Sequence, residues 1–181
     1  AALHDFVGER AALRDIPPMI DGIDMADDEP LAEASRLAAE AWGAKRAWFL
    51  SNGASQANRT AAIAVRGLGD RLLAQRSAPS SFSDGILAAG LTPSFVLPTV
   101  DAVHGISHNV SPEMLAEALD AAALAAKTPA AVYVVSPSYF GSVADVRGLA
   151  DVAHAHDIPL IVDGAWGPHF GFHEALPESP A

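Results

Sequence analysis

A carboxylate ends one of the most apolar runs in the chain. Leu160-Ile161-Val162 is followed at once by Asp163, and then by Gly164 and Gly167. An apolar run of this length with β-branched residues reads as a buried strand of a parallel sheet. In open α/β sheets, ligands sit just beyond the carboxyl ends of such strands. A carboxylate in that place is costly unless it meets a cation or hydrogen-bond donors. Asp163 can therefore pair with a protonated heterocycle nitrogen, or it can simply cap the turn that follows. Trp166 reads either as packing or as an indole whose buried N–H needs an acceptor.

Two further stretches carry the same signature. Ser51-Asn-Gly-Ala-Ser55 lies between a strand candidate and a helix start. A helix start offers free N–H groups and the positive end of a dipole, and glycine lets the backbone approach an anion. The stretch is neither a Walker motif nor GxGxxG, and a plain turn with an Asn/Ser cap is its other reading. Ser136-Pro-Ser-Tyr-Phe-Gly141 also follows a strand candidate and is either a second wall of the site or an ordinary Pro-Gly turn. The histidines are scattered. His104 and His108 have a metal-like spacing but lie in an expected loop with no acidic partner at a set distance, and His154 and His156 do not face each other on a helix. No metal site is expected.

The elements that must position these residues follow from periodicity. Residues 1–14 suit a short helix, and 15–30 an irregular acidic lead-in containing Ile16-Pro-Pro18. Pro30 opens a helix over about 31–42, with Leu31, Ala34, Leu37, Ala38 and Trp42 as its apolar stripe and Gly43 as its stop. Arg46 to Leu50 is expected as a strand, followed by a helix to about Val65. Strands are expected at 71–75, 94–97, 130–135 and 158–163, with helices at about 79–89, 111–126 and 146–156, and a loop over 99–110. Alternation at this spacing predicts βαβ units. The fold class is α/β, a three-layer α-β-α arrangement around a mostly parallel sheet. The domain division expected is a wrapping segment, 1–30, and a large domain, 31–181.

Composition narrows the function. The chain has 181 residues, no cysteine and a net charge of −11. Disulfide and thiolate chemistry are excluded, and the charge argues against nucleic acid or an anionic membrane as partner. No run approaches the roughly 18 apolar residues of a membrane helix. A cytoplasmic protein is expected.

Four stretches together resemble a known family. They are Trp48-Phe-Leu-Ser-Asn-Gly-Ala-Ser55, Leu73-Ala-Gln-Arg76, Ser136-Pro-Ser-Tyr-Phe-Gly141 and Leu160-Ile-Val-Asp-Gly-Ala-Trp-Gly-Pro-His-Phe-Gly171. They are similar to the large domain of pyridoxal-phosphate enzymes of the aspartate-aminotransferase fold (fold type I). More closely, they resemble the bacterial ornithine/lysine/arginine decarboxylases, over roughly residues 15–177. The resemblance implies that Gly53, Ala54 and Ser55 hold the phosphate of pyridoxal 5'-phosphate. It implies that Asp163 pairs with the pyridine nitrogen, that Trp166 lies near the ring oxygen, and that Ser136 and Ser138 line the substrate side.

The sequence departs from that family in two places. Pro79 stands where the family has a histidine stacking on the cofactor ring, which leaves Pro79 or Phe82 to cover it. The Schiff-base lysine is missing, since the only lysines are Lys45 and Lys127. The chain thus resembles a central piece of a longer decarboxylase of a basic amino acid, inactive as an isolated piece and expected to form a homodimer or higher oligomer. The alternatives are a non-catalytic homologue that binds or assembles, or an aminotransferase on the same fold.

Overall fold

The computed structural model describes residues 2–14 and 19–181. Residues up to Phe49 and residues 50–180 form two compact units.

The first unit is helical. It holds α1 (Ala2–Val7), α2 (Glu9–Ala12) and α3 (Pro30–Trp42). Ile16 to Pro18, expected in the lead-in, lie outside the described residues. Pro30 sits in the first turn of α3, where its missing N–H loses nothing, and Gly43 ends the helix with φ 72°. The turn before α3 is organised by Glu29, whose carboxylate accepts the backbone N–H groups of Gly22, Met25 and Ala26. Burial works to raise the Glu29 pKa, and the N–H donors of Ala26, Gly22 and Met25 overcome it and hold the carboxyl below its ordinary range. The strand expected at Arg46–Leu50 does not form. A strand exists only with a ladder partner, and here Trp48 and Phe49 are 72% and 60% exposed instead of being sandwiched.

The second unit is the α/β layer. Its elements in order are α4 (Gly53–Val65), β1 (Arg71–Gln75), α5 (Ser80–Ala89), β2 (Thr92–Val96), β3 (Val100–Asp101), β4 (Ile106–Ser107), α6 (Pro112–Leu124), β5 (Val132–Val135), α7 (Val146–Ala155) and β6 (Leu160–Asp163). Four strands form one sheet in the order β2-β1-β5-β6, and every pairing is parallel. Side chains alternate across it. Leu72, Ala74, Tyr133 and Val135 face α4 and α5 with Ala62, Val65, Phe82 and Ile86. Leu73, Val132 and Val134 face α6 and α7 with Leu115, Leu119, Leu149 and Ala153. Both faces are therefore covered, as the near-continuous apolar strands require.

The chain leaves β1 through α5 to reach β2 on one side, then returns through α6 to β5 on the other side of β1. The β1/β5 boundary is the topological switch point, where a crevice opens at the strand ends. The helices that face this crevice are packed at close range. A Cβ on Gly85 would lie 2.8 Å from Ala62 Cβ and 2.9 Å from Arg59 Cα, so only glycine permits the α4–α5 approach. β5 and β6 start two residues later than expected, at Val132 and Leu160, and two other stretches also differ. β2 starts at Thr92 and includes Pro93, which an edge strand tolerates because one side of its ladder is open. The expected loop over 99–110 contains the antiparallel pair β3–β4, with Val100 opposite Ser107. Its turn is held by Asp101, which accepts the N–H groups of Val103 and His104, and by Gly105 at φ 66°.

Candidate active site at the strand ends

The carboxyl ends of β1, β5 and β6 open into a cavity of about 170 Å³. Gln75, Val135 and Asp163 reach it from the strands, and Ala54 and Ser55 from the first turn of α4. Asn58, Pro79, Ser81, Ser138, Tyr139 and Trp166 are among the other residues that line it.

α4 begins without a side-chain cap. The Asn52 side chain makes no capping hydrogen bond, and its own N–H is held by Gln56 Oε1 at 3.1 Å. The first-turn N–H groups have no intrahelical partner, so this end of α4 is an anion-ready terminus. Gly53 sits at φ 64°, a left-handed value that suits glycine at this start.

Asp163 ends β6. Its Oδ2 accepts Asn58 Nδ2 at 2.8 Å and the Tyr133 hydroxyl at 3.0 Å, and its Oδ1 accepts the Ala165 N–H at 3.0 Å. Asn58 Nδ2 also reaches Ser81 Oγ at 3.3 Å across the α4–α5 contact. The Tyr133 ring is fully buried and stacks on Phe82, with centroids 3.5 Å apart and planes 13° apart. Burial, and then the negative charge of Asp163, push the Tyr133 phenol far above its ordinary pKa, so it remains a donor at all working pH.

The expected site residues separate into two groups. Ala54, Ser55, Ser138, Asp163 and Trp166 meet around one cavity. Ser138 also braces the loop after β5, because its Oγ accepts the N–H groups of Phe140 and Ser142. Trp166 stands at the mouth, 58% exposed, with its ring 5.4 Å from that of Tyr139. Ser136 lies on a neighbouring cavity with Val143 and Phe170, and its hydroxyl accepts the Ala144 N–H at 3.0 Å. Phe82 cannot cover a ring bound in the cavity, because it is wholly buried in the stack with Tyr133. Pro79 is the one of the two that lines the cavity. His104 is 2.8 Å from Asp101 in the β3–β4 turn. Among the described residues, no cluster of three or more His, Cys, Asp or Glu is placed to hold a metal. Among them too, no helix is long and apolar enough to cross a membrane.

Asn58, Tyr133 and Gln75 escaped the sequence reading. One signal was available. Tyr133 interrupts the run Ala130-Ala-Val-Tyr-Val-Val135, and a phenol in the middle of a buried strand needs a partner.

A parallel sheet sandwiched by helices, with its crevice at this switch point, is the large-domain fold of pyridoxal-phosphate-dependent enzymes of the aspartate-aminotransferase type. Lysine decarboxylase A from Pseudomonas aeruginosa matches with a TM-score of 0.64 at 26% identity, over 76% of this chain and 20% of that one. SepCysS, solved in complex with the SepCysE N-terminal domain, shares the fold with a TM-score of 0.66 at 16% identity, over 78% of this chain and 38% of that one. Residues 1–180 match the family described as Orn/Lys/Arg decarboxylase, major domain, and the chain belongs to that family. The arginine decarboxylase of Halalkalibacterium halodurans is 36% identical over 98% of this chain and 36% of its own length. The arginine decarboxylase of Bacillus subtilis is 35% identical over 97% of this chain and 35% of its own length. The chain thus spans about a third of the length of these curated relatives.

Proposed function

We propose that this chain is the cofactor-binding large domain of a pyridoxal-phosphate-dependent decarboxylase that acts on a basic amino acid, within a longer polypeptide. One observation carries the reading. The cavity has an uncapped helix start on one wall and, on another, a carboxylate whose Oδ1 accepts one hydrogen bond, from the Ala165 N–H, among the described residues. A planar heterocycle with an anionic arm and a cationic ring nitrogen fits that pair of features.

In this reading the N–H groups of Gly53, Ala54 and Ser55, with the Ser55 hydroxyl, hold the phosphate. Asp163 receives the ring N–H and keeps it protonated. Trp166 and Pro79 flank the ring, and Ser138 faces the substrate. Ser136 acts through the loop it braces. When bound, the cofactor supplies a protonated ring that takes up the electron pair released as the α-carboxylate departs. Lys127 lines a different cavity, beside Leu73 and Phe95, and in this reading the anchoring lysine belongs to the rest of the longer polypeptide. The apolar groups exposed on the first unit, Leu31, Leu37, Trp48 and Phe49 among them, fit burial against a second subunit. Sedimentation of the full-length protein as a monomer would remove that part of the reading.

The test is an absorbance scan of the full-length protein with pyridoxal phosphate, then borohydride reduction and mass mapping. The expected result is a visible band and a label on a lysine outside these 181 residues. No band and no label would favour the second reading, a homologue that uses the scaffold for binding or assembly. Pro79 in the cavity wall, where the family stacks a histidine, is the observation on its side.

A further inference from the structure

We propose that Tyr133, together with Asn58, is a positioning residue that sets which oxygen of Asp163 faces the cavity and leaves it a single acceptor direction. The inference rests on the reading of the cavity given above and adds the groups that prepare it.

The argument is a count of lone pairs. A carboxylate oxygen accepts about two hydrogen bonds, one per lone pair. Oδ2 has both, from Asn58 Nδ2 at 2.8 Å and the Tyr133 hydroxyl at 3.0 Å. Among the described residues Oδ1 has one, from the Ala165 N–H at 3.0 Å. One direction remains, suited to a single N–H of a flat ring lying in the crevice. The phenol also lies 3.2 Å from Asn58 Oδ1. Its one proton goes to the carboxylate, which is nearer and charged.

The donors are themselves fixed. Tyr133 is fully buried on β5, and its ring lies flat on Phe82, so the hydroxyl has no second place to go. Asn58 is buried on α4, held against Ser81, where Gly85 permits the two helices to approach. A carboxylate clamped in this way needs no reorganisation when a cationic ring arrives, which is the condition for electrostatic preorganisation. It also accounts for a phenol in a core strand, where an apolar side chain would otherwise serve.

The experiment compares two compounds on the full-length protein. One is pyridoxal phosphate, and the other is its carbocyclic analogue with CH in place of the ring nitrogen. Tyr133→Phe keeps the stack on Phe82 and removes the donor. It is expected to weaken pyridoxal phosphate about tenfold, the loss of one hydrogen bond to a charged group, while the analogue changes less than twofold. Asn58→Ala removes the other donor and is expected to give the same asymmetry, which keeps the test open if either variant folds poorly. Equal weakening of both compounds, or of neither, overturns the proposal.

A second readout needs no cofactor. The tyrosine 13Cζ resonance that disappears in Tyr133→Phe is expected to shift in Asp163→Asn. If the unaltered protein binds neither compound, the reading of the cavity fails. A Tyr133 resonance that also ignores Asp163→Asn then overturns the network with it, whereas one that moves retains the network.

Discussion

On the function proposed above, replacing Asp163 with asparagine in the full-length protein is expected to lower turnover on the order of 10²–10³-fold, the effect of removing one preorganised electrostatic group from an active site. The geometry says why an amide of the same size does not serve. Asn58 and Tyr133 both donate to the Oδ2 position, so the amide oxygen must sit there. Its NH2 then takes the Oδ1 position, where it meets the Ala165 N–H, a second donor, and turns an N–H toward the cavity. A donor in that place pairs only with an unprotonated ring nitrogen, which withdraws the electron sink the reaction needs. Cofactor affinity is expected to fall far less than turnover, because the α4 terminus that would take the phosphate is unaltered. The measurement is kcat and KM with arginine, lysine and ornithine, alongside the dissociation constant for pyridoxal phosphate. Turnover within a few-fold of the unaltered protein on its best substrate would remove Asp163 from the centre of the mechanism.

The parts of this arrangement that were legible in sequence are the local ones. A carboxylate at the end of Leu160-Ile-Val162, and a glycine turn leading into α4, are each readable within a few residues. The apolar strands and their 3.6-period helices were readable in the same way, and the parallel α/β layer followed from them. The network behind Asp163 was not, because its members meet only through the fold. Asn58 and Asp163 are 105 positions apart, and Tyr133 and Asn58 are 75 apart. The two errors in secondary structure have the same origin. Arg46–Leu50 has the composition of a strand, but composition does not supply a neighbour to pair with. The β3–β4 pair is only two residues on each side and is set by the hydrogen bonds of Asp101 in its turn, which apolar periodicity does not register. Ser136 and Ser138 both follow β5, and in sequence nothing tells them apart. The chain turns between them, and their hydroxyls brace different parts of the loop.

The packing behind the site carries the second large effect. Phe82→Ala is expected to cost about 3–5 kcal/mol of stability, the range for removing a buried aromatic ring. Phe82 has no solvent exposure and sits in the cluster that joins α4 and α5 to the sheet, with Ala62, Leu72, Ala74 and Ile86 around it. The void cannot close easily, because α4 and α5 are already in contact at Gly85. Denaturant unfolding, followed by hydrogen exchange of the β1 and β5 amides, measures the loss at the place where it arises. A loss under about 1 kcal/mol would mean that the cluster relaxes around the gap in a way this packing does not predict. Phe82→Leu is the more informative companion. It keeps an apolar side chain but removes the flat surface on which Tyr133 lies, so stability falls less while the phenol loses its orientation. If Phe82 serves the site through Tyr133, then Phe82→Leu weakens pyridoxal phosphate relative to its carbocyclic analogue in the unaltered background and has no such effect once Tyr133 is phenylalanine. That non-additivity is the mark of two residues acting as one unit, and it would tie the core of the sheet to the direction in which Asp163 presents its charge.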